Sequence, residues 1–215
     1  ATEISPDGAR RAAEASRPCV AVLTGPGEPT IRRDLDSLIN AARRGGAVRV
    51  ALVTNGRMLA YGDFAAHIAS LEPSLVAVSI LHHDPAVHDR ISSVKGAFDQ
   101  AIAGIGNLAA ANQVHGRGID IVVRHVPAGD GGADIQALSR IAKAAGASAL
   151  WVDGSPCEGD SEIEMVTGVG IEARLVGRRD LVAREIEGHA PARMHEDEGA
   201  VSIVIRTGCR NACVF

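Results

Sequence analysis

The chain has 215 residues, of which 46% are apolar and 22% charged, and its net charge is −4. That length suits one α/β domain, or one and a small appendage, with enough apolar residues to bury a core. Aromatics make up only 2% and no basic stripe stands out, which argues against a nucleic-acid-binding module. No apolar run approaches the roughly 20 residues of a membrane span. The polar start, Ala1 to Asp7, does not read as a signal peptide, so the expected location is cytoplasmic.

In chain order, Asp7–Ala15 reads as a helix before a first strand, Cys19–Leu23. Ile31–Arg44 is helical, with Leu35, Leu38, Ile39 and Ala42 on one stripe. The strand Val48–Val53, the short helix Gly62–Ser70 and the strand Leu75–Ile80 follow. Asp84-Pro85 reads as a helix start, with Asp84 as N-cap and Pro85 at the first helical position. Ala97–Asn112 carries Phe98, Ile102, Ile105 and Leu108 at helical spacing, and then comes the strand Ile119–Val123. Asp134–Ala145 is a helix with Ile135, Leu138 and Ile141 on one face. Further strands are read at Ala149–Val152, Glu172–Val176 and Val201–Ile205, with a weaker helix at Asp180–Glu187. The stretch Glu185–Gly199, rich in His, Glu, Asp and Pro, reads as a linker. The strands are nearly continuously apolar, as in a parallel sheet covered on both faces. Repeated strand–helix units predict either an open doubly wound sheet or a full or partial barrel, and spacing alone leaves both open.

Four segments can carry chemistry. Thr24-Gly25-Pro26-Gly27-Glu28-Pro29-Thr30 follows a strand and leads into a helix. Its glycines let backbone approach a ligand, and Glu28 can accept hydrogen bonds from an amino group. The competing reading is an ordinary strand–helix turn with Thr30 capping the helix. Val53-Thr54-Asn55-Gly56-Arg57 also ends a strand, where the sites of parallel α/β folds gather, or else is a plain glycine-terminated turn. His82, His83 and His88 lie among Asp84 and Asp89, but ligands from one short run seldom converge on a metal, and the helix-start reading is preferred. Cys209 and Cys213 stand four residues apart after an apolar strand, and such thiolates suit zinc or iron–sulfur chemistry. Cys19, in an apolar run, reads as a buried thiol, and Cys157 lies in a loop.

Taken together these segments resemble the radical S-adenosylmethionine (SAM) superfamily. Cys209, Cys213 and Phe215 match its C-x3-C-x2-C motif up to the residue before the third cysteine. Gly25 to Pro29 is similar to its Gly-Gly-Glu-Pro motif, with Pro26 in place of a glycine. The likeness runs on through Val-Thr-Asn-Gly, a Val-Ser strand, His-Asp-Pro-Ala-Val-His-Asp-Arg and Gly-Ala-Phe-Asp-Gln-Ala, covering about two-thirds of the chain. The order departs from the family, whose cysteine motif precedes the Gly-Glu-Pro strand. Reading Phe215 into Ala1 restores that order, as in a circular permutant or a fragment of a tandem array. Residues 1–184 would then hold barrel strands 2 to 6 and 185–199 a linker. Residues 200–215 would hold either the first strand and cluster loop or the start of a second domain.

The resemblance implies an α/β partial (βα)6 TIM-like barrel with parallel strands. It implies a [4Fe-4S] cluster held by three cysteines, of which Cys209 and Cys213 are two and the third is absent, with Ala1 at its place when Phe215 is read into Ala1, and SAM bound by Gly25, Gly27, Glu28 and Pro29. Asn55, Ser79 and Arg124 are further SAM-contacting candidates, with Glu28 facing the ammonium group and Arg124 the carboxylate. The implied activity is reductive cleavage of SAM and hydrogen abstraction from a small-molecule or peptide substrate, with an electron donor such as flavodoxin or ferredoxin. Neither nucleic acid nor membrane is expected as a partner. The alternatives are a non-catalytic barrel of the same type, acting as a binding or scaffold domain, and an unrelated TIM-like enzyme that binds phosphate at its strand ends.

Overall fold

The computed structural model describes residues 4–16, 19–25, 27–125, 133–153, 172–176 and 199–204. The expected helix Asp180–Glu187, the linker up to residue 198, Cys157, Cys209 and Cys213 lie outside them.

The strands are β1 (Cys19–Thr24), β2 (Ala47–Thr54), β3 (Leu75–Ile80), β4 (Asp120–His125), β5 (Ala149–Asp153), β6 (Glu172–Val176) and β7 (Gly199–Val204). The helices are α1 (Pro6–Ala15), α2 (Leu35–Arg44), α3 (Gly62–Ser70), α4 (Pro85–Ser92), α5 (Ala97–Val114) and α6 (Ile135–Ala145). Each strand begins and ends within two residues of its expected bounds. Three helices carry side-chain N-caps: Ser5 on α1, Asp84 on α4 and Asp134 on α6. Asp84 and Pro85 thus act as the sequence predicts. The bonds Asp84 accepts from the Val87 and Ala86 amides hold its carboxyl below the usual range.

All pairings are parallel, in the order β6-β5-β4-β3-β2-β1-β7. From β1 to β6 each strand lies beside its sequence neighbour. A doubly wound sheet reverses direction partway across, whereas a barrel does not. The sheet is therefore of the singly wound, partial-barrel kind. The last strand, β7, lies outside β1, with Ala21 opposite Val201 and Leu23 opposite Ile203.

The two faces of the sheet differ. Leu23, Leu52, Val78, Val123 and Leu150 point to one face, where α2, α3, α5 and α6 cover them with Leu38, Ile68, Ile105 and Leu138. The other face gathers Val22, Ala51, Leu75, Ala77, Val122 and Trp151, and this second cluster is built from strand residues alone. Both faces of the sheet are thus covered, as the apolar strands predict, and the partial barrel is the arrangement that covers them. Among the described residues the helices lie on one side, and the apolar runs are explained by a curled sheet whose inner side chains pack on each other.

Candidate functional site

The carboxyl edge of the sheet is where the inner face turns polar. Side chains alternate along a strand, so Ser79, between Val78 and Ile80 of the helix side, belongs to the inner face. Arg124, after Val123, does so as well. Ser79 is the register partner of Arg124, and Thr54 is the partner of Val78, which sets Asn55 level with Ser79. Asn55, Ser79 and Arg124 thus form a half-buried row across β2, β3 and β4, at the rim of an otherwise apolar surface.

At one end of this row stands the turn after β1. Gly25 and Gly27 are half-buried, while Glu28, Pro29 and Thr30 are buried. Glu28 is 8% exposed. Its Oε1 accepts from the Thr30 amide at 3.0 Å, the Thr30 hydroxyl at 2.6 Å and the Thr54 hydroxyl at 2.6 Å. Its Oε2 accepts from the Asn55 amide at 2.7 Å. Thr30 therefore does not cap α2. It belongs to a short 3-10 turn, Pro29–Ile31, capped by Glu28, and α2 starts only at Leu35.

The turn after β2 is pinned equally closely. The Gly56 amide donates to the Thr54 hydroxyl at 3.1 Å, and the Arg57 amide to Asn55 Oδ1 at 3.0 Å. Asn55 Oδ1 being so engaged, its Nδ2 amide is the group with which it can meet a ligand. Gly56 has φ +76°, and a Cβ there would stand 2.5 Å from a Val78 methyl. From the other side α5 brings Gly104 against the turn, where an added Cβ would overlap the Gly56 carbonyl oxygen and lie 2.9 Å from Leu59 Cβ. Asn107 Nδ2 donates to the carbonyls of Leu59 and Ala60 at 3.1 and 2.9 Å. Neither Gly104 nor Asn107 stands out in the sequence, because their partners are a whole strand–helix unit away.

The histidines also gather near this edge, but they are engaged with backbone. His88 Nδ1 accepts from the Leu81 amide at 3.1 Å, His82 Nδ1 from Asp84 at 2.9 Å and His83 Nδ1 from Asp134 at 2.9 Å. His125 Nδ1 donates to the Ile80 carbonyl at 2.9 Å. The His82 and His83 rings stack with centroids 4.3 Å apart. Burial pushes His88 down to about 4, helped by nearby His82 and opposed by Asp89. Asp84 caps α4 with Pro85 at its first position, and this run is a helix start.

At the opposite, amino edge, a cleft of about 600 Å3 is lined by Val48, Arg49, Glu72, His115 and Arg117, among others. Its charges are paired: Arg49 meets Asp120 at 3.5 Å, and Arg117 bonds to Glu72. It is remote from the Gly25 turn and belongs to the end of the fold that in barrels serves stability.

Residues 3–125 match the model of the radical SAM superfamily. A GTP 3',8-cyclase of Xanthomonas axonopodis pv. citri is 41% identical over 92 residues, covering 42% of this chain and 26% of the cyclase. An Fe-coproporphyrin III synthase of Methanosarcina barkeri is 36% identical over 86 residues, covering 40% of this chain and 21% of the synthase. The chain thus covers about a quarter of the length of these relatives. The crystal structure of Streptococcus suis SuiB bound to S-adenosylmethionine is similar with a TM-score of 0.52 at 16% identity, over 71% of this chain and 34% of SuiB. That likeness concerns the fold. Among the described residues no helix is long and apolar enough to cross a membrane.

Proposed function

The chain belongs to the radical SAM superfamily, and from that premise we propose that the carboxyl edge of its sheet binds SAM beside a [4Fe-4S] cluster for which Cys209 and Cys213 supply two of the three thiolates. One observation carries the reading. The strand that continues toward Cys209, β7, lies parallel to β1, the strand that continues into Gly25, so both chains leave the sheet at the same edge. In the family the cysteine strand comes immediately before the Gly-Glu-Pro strand, and β7 fills that place in this sheet. The same pairing supports reading residues 200–215 as the first barrel strand and cluster loop.

The side chains present suit SAM. The turn of Gly25, Gly27 and Pro29 brings backbone to the edge without bulky side chains in the way. Asn55 Nδ2 and the Ser79 hydroxyl are neutral groups for the ribose and methionine ends, and Arg124 is the cation for the carboxylate. The apolar floor of Val22, Val53, Ala77 and Val122 beneath them excludes water. When bound, cluster and SAM supply reductive cleavage of SAM and abstraction of a hydrogen atom from a substrate. This chain's own described residues bind, orient and shield. The reading requires a small-molecule or peptide substrate and an electron donor such as flavodoxin or ferredoxin. The named relatives carry two different activities, so neither lends this chain its substrate.

The test is anaerobic reconstitution with iron and sulfide. In protein whose chain supplies a third cysteine beside Phe215, about four irons per chain and a broad absorption near 400 nm are expected, both lost in Cys209→Ser and Cys213→Ser, with SAM binding seen by calorimetry after reconstitution. A colourless protein that binds no SAM would overturn the proposal and favour a non-catalytic barrel serving as a scaffold.

A further inference from the structure

We propose that Glu28 is a positioning residue that latches the Gly25–Glu28 turn onto the end of β2, and that it does not itself contact the ligand. The inference rests on the SAM-binding reading and revises the expectation that Glu28 faces the ammonium group.

A carboxylate has two oxygens and about four lone-pair sites. Glu28 already accepts four hydrogen bonds: three at Oε1, from the Thr30 amide, the Thr30 hydroxyl and the Thr54 hydroxyl, and one at Oε2, from the Asn55 amide. It is also buried. At Oε1 a ligand ammonium could take a place only by displacing one of these donors, and Oε2 lies against the Asn55 amide in a carboxylate that is 8% exposed. Every one of the four is itself buried or half-buried, so displacement would leave a donor without a partner, at a cost comparable to the bond gained.

The four donors show what the residue does instead. Two belong to its own turn after β1, and two to the turn after β2, 26 and 27 positions further along the chain. Because the Gly56 amide bonds to the same Thr54 hydroxyl that donates to Glu28, the connection runs through the whole Thr54-Asn55-Gly56 turn. The Gly25–Gly27 backbone and Asn55 are thereby held as one rim. A ligand that meets both needs them in fixed register, and a loose rim would bind it with an ordering penalty.

The latch can be separated from direct contact through Thr54, whose hydroxyl meets Glu28 and the Gly56 amide. In the full chain, Glu28→Gln puts an amide against the Asn55 N–H or the hydroxyls, and Thr54→Val removes one donor to Glu28 together with the acceptor of the Gly56 amide. Both should speed hydrogen exchange at the Thr30 and Asn55 amides by at least about 10-fold. In reconstituted protein both should weaken SAM binding by about 10-fold, Thr54→Ser should restore it, and the double variant should be no worse than Glu28→Gln alone. If Thr54→Val binds SAM like the unmodified chain while Glu28→Gln does not, Glu28 touches the ligand and the latch is refuted. Unchanged exchange at both amides in Glu28→Gln also refutes it. If the unmodified chain binds no SAM, it is the SAM-binding reading that falls, and exchange at Thr30 and Asn55 still decides the latch. Matching circular dichroism spectra of the variants confirm that the folded state is being compared.

Discussion

At the carboxyl edge of the sheet Glu28, His88 and Asp89 bond to backbone amides, while at the amino edge Arg49 and Arg117 bond to the side chains of Asp120 and Glu72. The geometry at the first end is tight. Asp89 holds Gly96 and Phe98 at 2.5 and 3.0 Å, Glu28 holds two amides and two hydroxyls, and the groups are mostly buried. At the second end the carboxylate partners are open to water, Asp120 at 38% and Glu72 at 54%. A bond to backbone fixes the path of a loop. An exposed pair of flexible side chains adds little order and is screened by salt. The two ends therefore contribute differently: one orders turns that a ligand would meet, and the other trims a surface.

Four substitutions probe that contrast. The largest effect is expected where α5 closes on the Thr54-Asn55-Gly56 turn. Gly104→Leu would force atoms through the Gly56 carbonyl and Leu59, and should cost about 3 kcal/mol or more in urea unfolding, far beyond any gain in helix propensity. A loss under about 1 kcal/mol would mean that the turn is not clamped. Next is acid stability. The folded-state pKa of His88, about 4, lies below the unfolded value of about 6.5, so as pH falls the unfolded chain takes up the proton first. Stability should hold above pH 6.5 and decline by about 3 kcal/mol between pH 6.5 and 4. His88→Asn, which keeps an acceptor for the Leu81 amide but does not titrate, should flatten that slope. If the slope survives, another group carries it.

Asp89→Ala should cost about 1–2 kcal/mol, the scale of a lost helix cap, because two amides at the start of α5 lose their acceptor. Its carboxyl is held below the usual range chiefly by the Phe98 amide. The smallest effect belongs to the amino edge. Glu72→Ala should change stability by under about 1 kcal/mol and should leave SAM binding unaltered. A loss as large as that of Asp89→Ala would erase the distinction between the two ends.

The strands were legible because a strand buried on both sides needs a run of Val, Ile, Leu and Ala, and such runs are short and well bounded here. What periodicity could not show was the start of α2. The stripe of Leu35, Leu38, Ile39 and Ala42 is real, but Pro29–Ile31 forms its own turn, and Arg32 then reaches Asp34 at 2.7–2.8 Å and the Ile4 carbonyl at 3.1 Å. The choice between a barrel and a doubly wound sheet was equally hidden, since both have the same strand–helix alternation and differ only in which strands become neighbours. At the site, Glu28 stood out by its neighbours in sequence, whereas its partners Thr54 and Asn55 come from the next strand. The chemistry of His88 was also out of reach, because burial against Phe98, with ring centroids 5.5 Å apart, depends on α4 folding back onto α5.

The pairing of β7 with β1 also bears on how the chain folds as it is made. Cys19 and Gly199 are register partners about 180 positions apart, whereas β1 to β4 form from consecutive units. Without β7 beside it, β1, with the sequence Cys-Val-Ala-Val-Leu-Thr, would present an uncharged edge able to pair with another chain. Contacts so distant in sequence form slowly. The strand that covers β1 is thus also one that shields the protein from aggregation, and variants that weaken β7 alone should aggregate more readily.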